Sequence, residues 1–371
     1  MKTTISESKS NLNVLRFGRN IVDDWRYLAP FTKRLGYVGW LGYGNIGDEA
    51  MYAAFQKLFS PACVLPFKRS RKIDVMEKAG LLKSYEAVVL GGGSLINSNK
   101  YLEIFKAAQN SCQKYFVLGA GVRNPDFWKG RFKSGDPKLM EWTRCLEQCG
   151  FVGVRGPISQ EMLKNQGFNQ AKVVGDLAFF LAEETIQPKV KTKRVGINLG
   201  TDGQLWGNEE SVLDFVVSLS KILMDKGYQV TLLPAWKKNL PYIEEAAKRI
   251  GNGVEIFKNY HSLPDVMKLL KECDFFIGEK LHSVVLASCV YTPAIMLAYR
   301  TKCLDVMSAL DLQEQCMRTD ELSLDKAVSL INSFETQTEV YQRKVKNKMD
   351  YYKKTLEDAK QQIMHLIAGQ S

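Results

Sequence analysis

The 371 residues include 51 Lys and Arg against 40 Asp and Glu, a formal charge of +11, with 45% hydrophobic and 25% charged residues. That length allows two α/β domains, and the composition is that of a soluble globular protein rather than a disordered one. No run reaches the roughly 20 apolar residues of a membrane span, so an integral membrane protein is not expected.

The start, Met1-Lys2-Thr3-Thr4-Ile5-Ser6, lacks the apolar core of a secretion signal, and a cytoplasmic location is expected. The positive balance leaves peripheral contact with an anionic membrane surface, and anionic substrates, open. The basic residues are dispersed and no nucleic-acid module accompanies them, so no nucleic-acid partner is expected. None of the eight cysteines stands in C-x-x-C spacing, which favours buried thiols over disulfides or zinc. No His/Asp/Glu cluster has metal-ligand spacing, so no metal and no cofactor are expected.

Residues 1–34 read as a polar N-terminal extension with an amphipathic patch at Val14–Tyr27. From 35 onward, β-rich runs alternate with helical periodicity, which predicts parallel sheets covered by helices. Strands are expected at Leu35–Gly39, Ala87–Leu90, Tyr115–Leu118, Phe151–Val154 and Lys172–Val174. Helices are expected between them at Asp48–Phe59, Tyr101–Asn110, Pro137–Gln148 and Pro157–Asn165. A polar break with a proline, Glu183–Arg194, marks a linker. The pattern then restarts with strands at Val195–Leu199, Gln229–Leu233, Val254–Phe257, Phe275–Gly278 and Ala294–Leu297 and helices between and after them. A long amphipathic segment, Thr336–Ile367, predicts a C-terminal helix. The expected organisation is therefore a first Rossmann-like domain over 35–187, a second over 188–335, and a helix in 336–371 packing back on the first. Facing domains of this kind place ligands in the cleft at the carboxyl ends of both sheets.

The chemistry-bearing residues cluster at those strand ends. Gly42-Tyr43-Gly44-Asn45-Ile46-Gly47-Asp48-Glu49 links a strand to a helix and satisfies G-x-G-x-x-G. A dinucleotide site is disfavoured because no acidic residue follows about 20 residues on; Lys68, Arg69, Arg71 and Lys72 occupy that region. Asp48 and Glu49 already complement the helix dipole where a pyrophosphate would bind. A tight glycine turn presenting Asn45, Asp48 and Glu49 is therefore expected to hold a polyol or orient a proton donor. Gly91-Gly92-Gly93-Ser94 ends a strand in a turn suited to an anion nest, with a ligand-free tight crossing as the alternative. Gly119-Ala120-Gly121-Val122-Arg123 adds a cation, and Arg155 precedes a helix opened by Pro157, placed to grip a carboxylate or phosphate. Asp176 closes another strand, as a helix cap or a catalytic group. Gly278-Glu279-Lys280-Leu281-His282-Ser283 brings Lys280 and His282 to the rim of the second sheet, and Tyr299-Arg300-Thr301-Lys302 follows the strand Ala294–Leu297, where it is expected to line the cleft from the second domain.

Taken in order, Gly44–Glu49, Gly91–Leu95, Val154–Pro157, Gly175–Phe179 and Gly278–Ser283 resemble the polysaccharide pyruvyl transferase family over about residues 36–303. The resemblance implies a glycosyltransferase B-like architecture and transfer of pyruvate from phosphoenolpyruvate onto a sugar, free or lipid-linked, as a cyclic ketal. It implies that Arg155, Lys280 and His282 match the family's donor-site positions. For that chemistry, Leu281, Gly92, Gly93 and Ser94 are expected to assist at the donor, Asn45, Gly44, Arg123 and Tyr299 to contact the acceptor, and His282 to act as general acid, with Asp48 and Glu49 as further catalytic candidates, one of them accepting a hydroxyl proton. Members more often carry arginine before Leu-His; Lys280 keeps the charge but loses the bidentate fork. Alternatives are a nucleotide-sugar-dependent glycosyltransferase or epimerase of the same architecture and a non-catalytic sugar-binding homologue. An NADP-dependent reductase would place Lys68, Arg69 and Arg71 on the 2′-phosphate.

Overall fold

The computed structural model describes residues 34–67, 85–111, 114–128, 139–188, 190–200 and 205–369. The expected N-terminal extension, Arg34 apart, and the basic run Lys68–Lys72 lie outside the described residues.

Two parallel sheets form the frame. The first contains β1 (Arg34–Val38), β2 (Cys63–Pro66), β3 (Ala87–Leu90), β4 (Gly93–Ile96), β5 (Tyr115–Val122), β6 (Val152–Val154) and β7 (Lys172–Val173). Its order is β2-β1-β3-β5-β6-β7, with β4 beside β5. The second contains β8 (Arg194–Asn198), β9 (Gln229–Leu232), β10 (Glu255–Ile256), β11 (Phe275–Gly278), β12 (Ala294–Ala298) and β13 (Cys316–Arg318). Its order is β10-β9-β8-β11-β12-β13, the doubly wound arrangement in which strand order reverses at the first strand. The near-continuous apolar strands follow from burial of a parallel sheet on both faces, as in β3, buried throughout from Ala87 to Leu90.

Three short strands were not expected: β2, β4 and β13. β4 is the informative one. The chain does not simply turn at Gly91–Gly93; it resumes as a strand at Gly93, a residue at φ +102° that favours glycine. The C-terminal helix is longer than its periodicity suggested. It runs over Leu324–Ala368, from a Ser323 cap to a left-handed Gly369, and kinks at Gln337. Its earlier part meets the second lobe, where the Ala294 N–H donates to Tyr341 Oη. Its end meets the first: Lys353 Nζ donates to the Ala182 carbonyl and Lys114 Nζ to the Ile367 carbonyl.

The order of each sheet reverses between β1 and β3, and between β8 and β11. Ligands in open α/β sheets gather outside the carboxyl ends at such reversals. At the second, fully buried Asn198 ties the neighbouring segments together. Its Nδ2 donates to the Leu233 carbonyl, and its Oδ1 accepts from the Lys280 N–H at 2.8 Å and Ser283 Oγ at 3.1 Å. The start of the helix Leu281–Cys289 is thereby fixed. Asn198→Ala would strip partners from these buried groups, each worth about 1–3 kcal/mol. A stability loss of about 2–4 kcal/mol is expected in urea denaturation; a loss below the error of the titration would show that the amide does not organise this end of the sheet.

Candidate active site

A cleft lies between the carboxyl ends of the two sheets, with a cavity of about 140 Å3, roughly ten times the minimum needed for one water. The loop after β1 supplies Trp40 and Asn45, and the first turn of the helix Ile46–Leu58 supplies Gly47 and Asp48; β5 and β6 lead to Arg123 and Arg155. From the other lobe come Trp236, the segment Lys280–Ser283 and the segment Tyr299–Lys302. Among the described residues, five lining side chains are cationic (Arg123, Arg155, Lys280, Arg300 and Lys302) against a single carboxylate, Asp48. Such an imbalance in a walled cleft favours an anionic ligand.

His282 sits in the first turn of its helix, with its side chain 13% exposed, and its Nε2 lies 3.5 Å from Asp176 Oδ2. Asp176 is fully buried, and its Oδ1 accepts from the Ala178 N–H at 3.0 Å, opening the 3-10 turn Leu177–Leu181. The carboxylate therefore serves both as a cap, with one oxygen, and as a partner for the imidazole, with the other. Burial alone would push its carboxyl up. His282, Arg155 and the Ala178 N–H outweigh burial and hold it below the usual carboxylate value. Gly47 backs the imidazole from the first lobe: a Cβ there would fall 2.3 Å from His282 Cβ and Nδ1.

Arg155 is only 1% exposed. Its Nη2 donates to Ser94 Oγ at 3.3 Å, and its Nε lies 3.7 Å from Asp305 Oδ2 across the lobes. Nε and Nη1 have no hydrogen-bond partner among the described residues. A buried guanidinium with unused donors is costly unless a ligand completes it. Asp305 is itself held by the Ser159 N–H at 3.1 Å and the Ser159 hydroxyl at 2.6 Å. Gly121 makes room for the guanidinium, since a Cβ there would fall 2.4 Å from Nη2.

Other expected residues divide into two groups. Asn45, Asp48, Gly93, Ser94, Arg123, Lys280, Leu281 and Tyr299 line the cleft with Arg155 and His282, whereas Gly44, Glu49 and Gly92 do not. The Glu49 carboxylate turns back to accept the Gly42 N–H at 2.8 Å, which staples the glycine loop. The Gly92 N–H donates to Tyr37 Oη and the Gly91 N–H to the Val38 carbonyl, so neither is left for an anion nest. Both glycines instead admit neighbours against the backbone: a Cβ would fall 2.0 Å from the Tyr37 ring at Gly91 and 2.2 Å from Met51 Sδ at Gly92. Asn45 caps its helix by accepting the Gly47 N–H. Tyr299 is ringed by cations, with Lys280 Nζ 5.1 Å, Arg300 Cζ 5.1 Å and Lys302 Nζ 4.8 Å from its centroid. The whole segment Tyr299-Arg300-Thr301-Lys302, expected at the cleft from its position after a strand, lines it. Sequence reasoning did not single out Asp305, which lies inside a helix and offered no local signal.

The sequence matches the polysaccharide pyruvyl transferase family over residues 45–301, a span that contains the cleft residues from both lobes apart from Trp40 and Lys302. The chain belongs to that family. A relative among characterised proteins is the amylovoran biosynthesis protein AmsJ of Erwinia amylovora, 23% identical over 283 residues, 68% of this chain. The match spans 66% of that relative's length, just under two thirds. Among solved structures, the S. aureus MnaA–UDP complex aligns with a TM-score of 0.53 at 12% identity, covering 84% of this chain and 90% of that one. The UDP-GlcNAc 2-epimerase of Methanocaldococcus jannaschii aligns at 0.51 and 13%, covering 81% and 92%. They share the fold: two Rossmann-like lobes facing across a cleft, the glycosyltransferase B-like architecture expected above.

Half-buried Asp48 generates a pH prediction. Burial pushes its carboxyl up to about 6, against the pull of His282 and Lys302, with Glu49 and Asp176 adding to the rise. An unfolded Asp titrates near 3.9, so from about pH 4 to 6 the folded chain holds a proton that the unfolded chain has lost. The associated stability is full below about pH 4 and is lost as pH rises through about 6. Asp48→Asn is expected to escape this loss, gaining on the parent protein by at most about 3 kcal/mol between pH 4 and pH 8 in urea titrations. An identical difference at both pH values would contradict the raised carboxyl.

Proposed function

We propose that the chain moves the enolpyruvyl group of phosphoenolpyruvate onto two hydroxyls of a sugar in a cell-surface polysaccharide or its lipid-linked precursor, leaving a pyruvate ketal. The observation that carries this reading is the buried Arg155, with two unused N–H-bearing nitrogens, in the same cleft as the His282–Asp176 pair. A trianionic three-carbon donor suits both: Arg155 takes a carboxylate or phosphate as a fork, and Lys280 adds a point charge. Membership of the pyruvyl transferase family and a relative named for amylovoran biosynthesis support the reaction class and its setting.

In this reading His282 delivers a proton to the donor's methylene carbon, and positive charge develops at the adjacent carbon. A sugar hydroxyl oxygen bonds to that carbon, the carbon–oxygen bond to phosphate breaks, and a second hydroxyl closes the ring. Of the two hydroxyl protons released, one replaces the proton taken up by the methyl group and the other leaves with inorganic phosphate. Asp48, which lines the same cavity from the first lobe, accepts the first hydroxyl proton. Asp176 acts as a positioning residue through the imidazole. The chain's charge of +11 suits an acceptor presented at the inner face of an anionic membrane.

Incubation with phosphoenolpyruvate and a panel of sugars is expected to give a pyruvyl adduct by mass spectrometry, together with acceptor-dependent release of phosphate. His282→Gln is expected to lower kcat by roughly a hundredfold or more. A kcat equal to that of the parent would remove the imidazole from the mechanism, and absence of any adduct across the panel would count against the donor.

A further inference from the structure

The mouth of the cleft carries a group of aromatic side chains that the donor chemistry does not use. Trp40, beyond the end of β1, is 40% exposed, and Tyr43, in the glycine loop, is 54% exposed. Their rings meet edge to face at 5.4 Å. Trp236, beyond the end of β9 in the other lobe, meets Trp40 edge to face at 6.2 Å. Its indole Nε1 donates to the Tyr43 carbonyl at 2.8 Å, so the group spans both lobes. Large, partly exposed indoles fixed in this way are unusual on a surface that has no ligand to cover them.

The cleft side chains differ in exposure. Arg155 is buried and His282 slightly exposed, whereas Trp40, with Tyr43 against it, opens to solvent. Trp40 and Trp236 line the same cavity as His282, with the amides of Asn45 and Asn124 beside them. A pyranose ring matches that pattern. One face of it presents C–H groups that pack on an indole, while hydroxyls around its edge seek amide and carboxylate partners. An anionic three-carbon donor makes no use of exposed indoles. We infer that Trp40 and Trp236 form the acceptor subsite, holding the apolar face of a neutral hexopyranose so that its hydroxyl edge points towards His282 and Asp48. This deepens the proposed function and rests on it for the meaning of "acceptor"; sugar binding itself does not depend on the donor.

Two readouts keep the inferences separable. Methyl glycosides of galactose, glucose, mannose and N-acetylmannosamine are titrated by calorimetry into the full chain without donor, and phosphoenolpyruvate is titrated separately. At least one glycoside is expected to bind the parent saturably. Trp40→Ala is expected to weaken it roughly tenfold or more, with Trp40→Phe recovering most of the loss and donor affinity staying within about twofold. Unchanged glycoside affinity in Trp40→Ala, equal weakening of donor and glycoside, or no glycoside binding by the parent up to solubility would each overturn the subsite. Trp40-dependent sugar binding without any pyruvyl adduct would uphold the subsite and defeat the donor assignment. An adduct formed with an unaltered acceptor KM in Trp40→Ala would do the reverse.

Discussion

A fully buried carboxylate at the end of the first sheet faces an imidazole supplied by the second, and the geometry of the cleft follows from that approach. Asp176 and His282 stand 3.5 Å apart, and neither Asp176 Oδ2 nor His282 Nε2 has a hydrogen-bond partner in good geometry among the described residues. Burying such groups is tolerable only when each compensates the other. The lobes are therefore tied in the region where chemistry is proposed. Arg155 and Asp305 repeat the arrangement in the opposite sense, with the cation on the first lobe and the carboxylate on the second. The two pairs thus join the lobes at the cleft itself.

Glycine serves that assembly more through close approach than through turn conformation. Gly47 admits His282, Gly121 admits Arg155 and Gly200 admits Lys280, each at a distance where a Cβ would overlap the side chain. Three of the cleft side chains thus lie against backbone, which restricts their rotamers and would limit the entropy lost on binding a ligand. Gly91 and Gly92 use the same device for packing, admitting Tyr37 and Met51. A glycine-rich strand end is therefore no guide by itself to ligand contact. What occupies the space above the missing Cβ decides the matter.

The side chains of the cleft differ in character. Arg155 is buried and Lys280 half-buried, the indoles of Trp40 and Trp236 are partly exposed, and His282 and Asp48 line the same cavity. A charged small molecule and a polar ring with one apolar face would each find a separate chemistry there. Their meeting point would be the imidazole. The helix Leu324–Ala368, kinked at Gln337, runs from one lobe to the other, as does the segment that precedes β8. Both crossings of the chain therefore connect bodies whose relative position sets the width of the cleft.

Most of the frame was legible because long apolar strands and amphipathic helices carry their own periodicity. β3, β5, β11 and β12 appear within a few residues of their apolar runs. β2, β4 and β13, of three or four residues, are too short to show a period and exist only through pairing with a neighbour. By itself the sequence determined where charge and glycine would stand, at the carboxyl ends of parallel strands, since strand ends are marked locally. Only the tertiary structure decided which of those residues meet. It drew Glu49 back onto its own loop, gave Gly92 to Tyr37, and brought His282 to Asp176, Arg155 to Asp305 and Trp236 to Trp40. Those partnerships join segments distant in the chain, and they are set by which buried charge or ring each must satisfy once the lobes close, a requirement that no local pattern records.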